Sequence, residues 1–325
     1  MDQPGIGDPI HVLPAGPWRQ VHEHLSVHGH AVVHTTWGEW LPAALTRPHL
    51  RRLLGRRDWD RCRRTTDPAV RHRFVTSRLL LKYTAAAALR TAPEGLDLSY
   101  RLGGRPYLRG FDQIDMSLTH TGDLMAVGLS RDGRIGIDAE PADRRMRLDL
   151  LQTQMCTPAE AAELAPLTED EQSEQTLRLW TLKEAYTKAL GQGMRLRFTE
   201  FGFGLRTGRL LAPDGTPAAP TEWAFATHRV LGRYLLSTAR HDSGLDTAPD
   251  TAARTMLDPG FAAVMAHSSW TPPAPPDPPA PPAPGTPGAP GTPGVPGTPG
   301  VPGTPGVPGA RGGRTVPVET RSRPD

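Results

Sequence analysis

From about Trp270 to Pro308 the chain is built almost wholly of proline, glycine and small residues, TPPAPPDPPAPPAPGTPGAPGTPGVPGTPGVPGTPGVPG. Proline lacks a backbone donor and glycine loses the most freedom on ordering, so such a stretch cannot build or bury a core. It is read as a flexible tail or spacer and not as collagen. The fold must therefore come from what precedes it, roughly 240 residues, enough for one large domain or two small ones.

The sequence has 37 Lys and Arg against 34 Asp and Glu, a formal charge of +3. A broad nucleic-acid groove needs a larger excess, so no nucleic-acid partner is expected. The basic residues are unevenly placed, with ten arginines between Arg51 and Arg78. That cluster suits a compact anionic ligand at least as well as a duplex. Two cysteines, Cys62 and Cys156, require neither a disulfide framework nor a thiolate metal site. No stretch has the length of a membrane span and the N-terminus has no apolar signal core, so a cytoplasmic monomer with no membrane partner is expected.

Residues 1–50 mix histidine, proline and short apolar runs and allow no assignment. Asp67–Arg90 has a helical pattern closed by Pro93. Ile114–His120 and Leu124–Ser130 read as strands, and Asp132-Gly133 is a hairpin signal between the latter and a strand Arg134–Glu140. Thr157 and Pro158 open a short helix, and a longer one runs from about Glu171 to Leu190, stopped by Gly191. Strands follow at Glu200–Leu205, Trp223–His228 and Arg233–Ala239. Strands and helices mix without regular βαβ alternation, which predicts an α+β fold.

Two carboxylates, Asp138 and Glu140, share one face of their strand with Gly136, because strand side chains alternate with period two. On the long helix Leu177, Trp180, Glu184, Lys188 and Gly191 form one stripe at steps of three or four. Taken alone, Glu184 and Lys188 read as a surface ion pair worth about 0.3–0.5 kcal/mol, with Lys183 an ordinary solvated lysine. Taken with Asp138 and Glu140, Glu184 completes a set of three carboxylates. Such a set suits magnesium, which takes oxygen ligands and leaves positions for water and substrate phosphate, while Lys188 can neutralise a phosphate. The constellation describes phosphoryl chemistry. The alternate histidines His22, His24, His28, His30 and His34 imitate a metal site but are read as an exposed strand or loop.

Gly-Ile-Asp-Ala-Glu (Gly136–Glu140) and Trp-Thr-Leu-Lys-Glu-Ala-Tyr-Thr-Lys-Ala-Leu-Gly-Gln-Gly (Trp180–Gly193) resemble the two signature motifs of the Sfp-type 4'-phosphopantetheinyl transferases. Ser-Leu-Thr-His-Thr-Gly-Asp (Ser117–Asp123) and the turn Gly104-Arg105-Pro106 are similar to two further segments of that family, in the family's order. The resemblance covers roughly Asp67 to Ala239.

It implies transfer of the phosphopantetheine arm of coenzyme A to a serine of an apo acyl or peptidyl carrier protein of fatty-acid, polyketide or nonribosomal-peptide synthesis. It implies Asp138, Glu140 and Glu184 as magnesium ligands, and Lys188 on the phosphates. Glu184 is also a candidate base, with a metal-bound water as the other. Arg105, Thr119 and His120 would hold the nucleotide end of coenzyme A. Arg73 joins them through an R-x(8)-R/K pattern that ends at Lys82. The fold implied is a pseudo-twofold pair of α+β halves, residues 1–132 and 133–242, with linker and tail over 243–325. Two other readings stand beside it: another metal-dependent phosphotransferase or nuclease, and a non-catalytic nucleic-acid-binding module, which would leave the acidic set unexplained.

Overall fold

Two helices of 22 residues, Pro68–Leu89 and Glu169–Leu190, each back one β-sheet. The computed structural model describes residues 5–101, 103–218 and 223–242. The linker and the proline-glycine tail lie outside them. Within that tail glycine stands at every third position from Gly285 to Gly309, the period a collagen-like helix requires, so the exclusion of collagen does not hold.

The chain opens with β1 (Ile10–His11), α1 (Trp18–His28), β2 (His30–Thr36), α2 (Trp37–Thr46), α3 (Leu50–Arg64) and α4 (Pro68–Leu89). A small ribbon of β3 (Leu98–Tyr100) and β4 (Pro106–Leu108) leads into β5 (Asp115–Thr121) and β6 (Leu124–Ser130). The first sheet has the order β1-β2-β6-β5. Asp67 caps α4 by accepting from the amides of Ala69 and Val70, and Pro68 enters its first turn, where a missing donor costs nothing. Leu79, Leu80, Leu81 and Ala85 then carry α4 into the core with α1, α2 and α3.

The second part comprises β7 (Gly133–Pro141), α5 (Leu148–Met155), α6 (Pro158–Leu164), α7 (Glu169–Leu190), a short β8 (Gly202–Phe203) and β9 (Leu210–Leu211), then β10 (Trp223–Val230) and β11 (Tyr234–Asp242). Its main sheet is antiparallel, in the order β10-β11-β7. Thr168 and Glu171 form a reciprocal capping box at the start of α7, and Gly191 closes it at φ 69°. The α+β expectation is borne out.

Asp132-Gly133 does turn the chain, but not into a hairpin. β7 leaves β6 and pairs with β11 in the other sheet. The two sheets instead pack through a shared apolar core, in which Ile135 and Ile137 sit so close to Gly128 that a Cβ there would lie 3.0 Å from each. Along β5, Asp115, Ser117 and Thr119 share the face toward β7. Asp115 Oδ2 accepts from the Ile135 amide at 2.9 Å and Ser117 Oγ from the Ile137 amide at 3.1 Å, so side chains stand in for a sheet partner's carbonyls.

The N-terminal histidines are not on one strand or loop. His22, His24 and His28 lie on α1, whereas His30 and His34 are buried on β2. The imidazoles of His24, His28 and His30 meet in tilted and edge-on contacts with centroids 4.4–6.3 Å apart, yet no three His, Cys, Asp or Glu among the described residues are arranged to hold a metal ion.

Burial pulls the imidazoles of His30 and His34 from 6.5 down to about 4. Burial also raises the Glu39 carboxyl, but hydrogen bonds from Thr36, His11 and Thr35 outweigh it and hold it at about 2. The unfolded chain protonates the two histidines near pH 6.5 and the folded chain only near 4, so their contribution is complete above 6.5 and lost as pH falls through that window. Each shift corresponds to about 3 kcal/mol. The urea midpoint is expected to fall steadily from about pH 6.5 to about 4; a flat profile there would contradict this assignment.

Candidate active site

α7 lies directly on β7, and the contact is backbone to backbone. A Cβ on Gly136 would fall 1.9 Å from the carbonyl oxygen of Ala185 and 2.4 Å from the amide nitrogen of Ala189. Only glycine permits that approach. The residues of α7 just before those two alanines are Glu184 and Lys188, and two residues beyond Gly136 on the same strand face stands Asp138. The crossing thus brings helix and strand motifs into one site.

Lys188 does not pair with Glu184 one turn away. Its Nζ donates to Asp138 Oδ1 at 2.6 Å, and Thr119 Oγ1 donates to the same oxygen at 3.3 Å. Asp138 is buried, and Lys188 keeps about a third of its side chain in solvent. Glu140 Oε1 accepts from Arg144 at 2.5 Å. The Glu184 carboxyl is pushed up by burial and then by Asp138, with Lys188 opposing and Glu140 adding to the rise. Glu184 is therefore close enough to Asp138 and Glu140 to be repelled by both.

His120, at the end of β5, senses the opposite sign. Desolvation lowers its imidazole and its own backbone opposes that, while Arg78, Lys188 and Arg73 each push it further down. Arg73 and His120 are thus brought into one electropositive region beside Lys188. Arg78 is largely fixed within it, 3.7 Å from Asp58 and over the rings of Phe74 and Tyr100. Lys82, which ends the R-x(8)-R/K pattern, is buried and donates to the Leu53 carbonyl at 2.6 Å. Arg105 is held by protein acceptors: both carboxylate oxygens of Asp115 and the carbonyls of Ile135 and Lys188.

The acidic set suits magnesium in the chemistry of its donors, although among the described residues the three carboxylates are not drawn together as a metal-holding group. Asp138, Glu140 and Glu184 offer only oxygens, which a hard divalent cation selects, and Asp138 and Glu140 both act on Glu184. In the arrangement described, the cations of Lys188 and Arg144 lie on two of the three carboxylates.

Lys183 is the residue that sequence reasoning missed. Far from being solvated, it is fully buried, and its Nζ donates to Glu160 Oε2 at 2.7 Å and to the carbonyls of Met155, Phe198 and Phe201. Glu160 in turn caps α6 and accepts from the Phe203 amide. The pair locks α6 and the segment after α7 onto the helix that carries Glu184 and Lys188. The capping pattern Thr157-x-x-Glu160 was visible in the sequence; its lysine partner, 23 residues on, was not.

Residues 134–239 match the family model of the 4'-phosphopantetheinyl transferase superfamily. A Synechocystis protein provisionally named a 4'-phosphopantetheinyl transferase is 30% identical over 149 residues, covering 45% of this chain and 61% of the relative. The 4'-phosphopantetheinyl transferase of Bacillus subtilis is 25% identical over 159 residues (48% and 70%), and a phosphopantetheinyl transferase of Thraustochytrium 27% over 247 residues (67% and 81%). The chain thus spans about three fifths of the Synechocystis relative's length. The resemblance to 4'-phosphopantetheinyl transferases, drawn from the four motifs, is borne out at the level of the superfamily.

A methyl group at Gly136 must push α7 off β7. Gly136→Ala is expected to cost about 3 kcal/mol or more of stability, as overpacking against backbone has no flexible side chain to absorb it. Denaturant unfolding checks this, and a loss within about 0.5 kcal/mol, the range of ordinary surface changes, would refute the crossing.

Proposed function

We propose that this chain is an Sfp-type holo-carrier-protein synthase that moves the phosphopantetheine arm of coenzyme A onto a carrier-protein serine. The observation that carries the reading is the Lys188 ammonium on Asp138, within the field of Glu184 and Glu140, in a segment that matches the superfamily. Acidic groups alone would repel a pyrophosphate; with a cation and a lysine among them they can hold it.

In this reading Asp138, Glu140 and Glu184 hold magnesium, which supplies charge neutralisation for the pyrophosphate of coenzyme A. Lys188, on a flexible stem and part-exposed, exchanges Asp138 for a phosphate oxygen and stabilises the departing 3',5'-ADP. The serine oxygen forms a bond to the β-phosphorus, and the bond from that phosphorus to the bridging oxygen of the α-phosphate breaks. Glu184, on α7 beside Lys188, is the candidate that takes the serine proton. Thr119 holds Asp138 in place, and His120 on β5 and Arg73 on α4 face the nucleotide's phosphate.

The two halves meet along β5 and β7, with coenzyme A between them, and the carrier docks near α5 and α6, where Leu150 is exposed. The enzyme acts as a cytoplasmic monomer on acyl or peptidyl carriers. No helix among the described residues is long and apolar enough to cross a membrane.

Incubation of apo carrier proteins with coenzyme A and magnesium is expected to give a phosphopantetheine adduct by intact mass. Asp138→Ala and Glu184→Ala should each reduce that transfer by about a thousandfold while the protein stays folded, the scale of losing a principal electrostatic group. Near-normal turnover in both variants, or no adduct on any of several carriers, would sink the reading.

A further inference from the structure

We infer that Arg105 acts as a positioning residue, a pin that sets the Lys188 turn of α7 against β5 and β7, and that it does not bind the nucleotide phosphate. The inference rests on the proposed transfer for its kinetic arm only. A guanidinium has five donors in a fixed plane. Arg105 directs Nε to Asp115 Oδ1 at 3.3 Å and Nη2 to Asp115 Oδ2 at 2.5 Å, a fork-on-fork pair. Nη2 also donates to the Ile135 carbonyl at 2.7 Å, and Nη1 to the Lys188 carbonyl. Four bonds to protein acceptors leave one donor over, and Asp115 already neutralises the charge. The side chain is about one-sixth exposed, so little of it faces a ligand in solution.

The same four bonds join three elements. Asp115 lies on β5 and binds both Arg105 and the Ile135 amide of β7, so the pin grips the Ile135 peptide from both its donor and its acceptor side. The Lys188 carbonyl lies in the last turn of α7, where carbonyls lack intrahelical partners and the helix end carries partial negative charge. The Gly191 amide also reaches that carbonyl, at 3.1 Å, and Arg134 reaches the Leu190 carbonyl at 3.4 Å. A cation fixed there holds the backbone of the residue whose ammonium must move between Asp138 and substrate. A lysine in place of Arg105 could not form the fork.

Arg105→Met and Asp115→Asn separate the roles when assayed with coenzyme A and with 3'-dephospho-coenzyme A. A pin predicts that both variants lose kcat about tenfold to a hundredfold with both donors, while KM and the preference for the 3'-phosphate stay near wild type. Asp115 cannot itself bind an anion, so its matching loss distinguishes pin from ligand. Loss of the 3'-phosphate preference in Arg105→Met with kcat retained overturns the inference, as does unchanged kcat in both variants. If Arg105→Met does not fold, Arg105→Lys carries the same comparison. Hydrogen exchange gives an arm independent of turnover: faster exchange at Ile135 and over 187–190, with α4 unchanged, is expected, and an unchanged pattern overturns the pin. Absence of transfer by the wild-type chain would instead count against the proposed function.

Discussion

The backbones of β7 and α7 touch at Gly136, and the site exists because they do. Without a Cβ between them, the carbonyl of Ala185 and the amide of Ala189 come within what would be side-chain distance of the strand. The small residues Ala185 and Ala189 keep the helix face flat at the crossing, and both are buried. Residues one position away on the helix and two on the strand then meet: Glu184 and Lys188 on one side, Asp138 on the other. A bulkier strand residue would separate the carboxylates from the lysine by the thickness of a side chain.

That proximity is electrostatically expensive and is offset locally. Burial and two neighbouring carboxylates raise Glu184, while Lys188 and Arg144 lie on Asp138 and Glu140. On the first sheet the sign reverses, with Arg73, Arg78 and Lys188 acting on His120. Negative and positive regions thus face each other across the junction of β5 and β7, which suits a ligand that carries phosphates and brings its own cation. The buried Lys183–Glu160 pair stiffens the far side of α7, and Arg105 grips its last turn. Removing one partner of such a buried pair costs more than the pair contributes, so its value here is in fixing geometry.

Much of this was legible locally. Asp67-Pro68 and Thr157-Pro158 marked helix starts that the structure reproduces, and the period-two pattern put Gly136, Asp138 and Glu140 on one face. What failed was non-local. Asp132-Gly133 announced a turn, but nothing in a turn says which strand the next one joins, and β7 chose β11. Lys188 and Glu184 are spaced as a helical pair, yet the desolvated Asp138 is the stronger partner for the ammonium. Residues before 50 gave no period because α1 has few apolar positions, only Val21 and Leu25 being buried.

The proposed transfer requires that three carboxylates accept a divalent cation once a pyrophosphate draws Lys188 away from Asp138. The most direct measurement is anomalous scattering from a crystal of the protein grown with coenzyme A and manganese, the metal standing in for magnesium. One ion bridging oxygens of Asp138, Glu140 and Glu184, with the Lys188 ammonium moved onto a phosphate, is the predicted result. An ion bound away from that set, or Lys188 still on Asp138 with coenzyme A present, would contradict it.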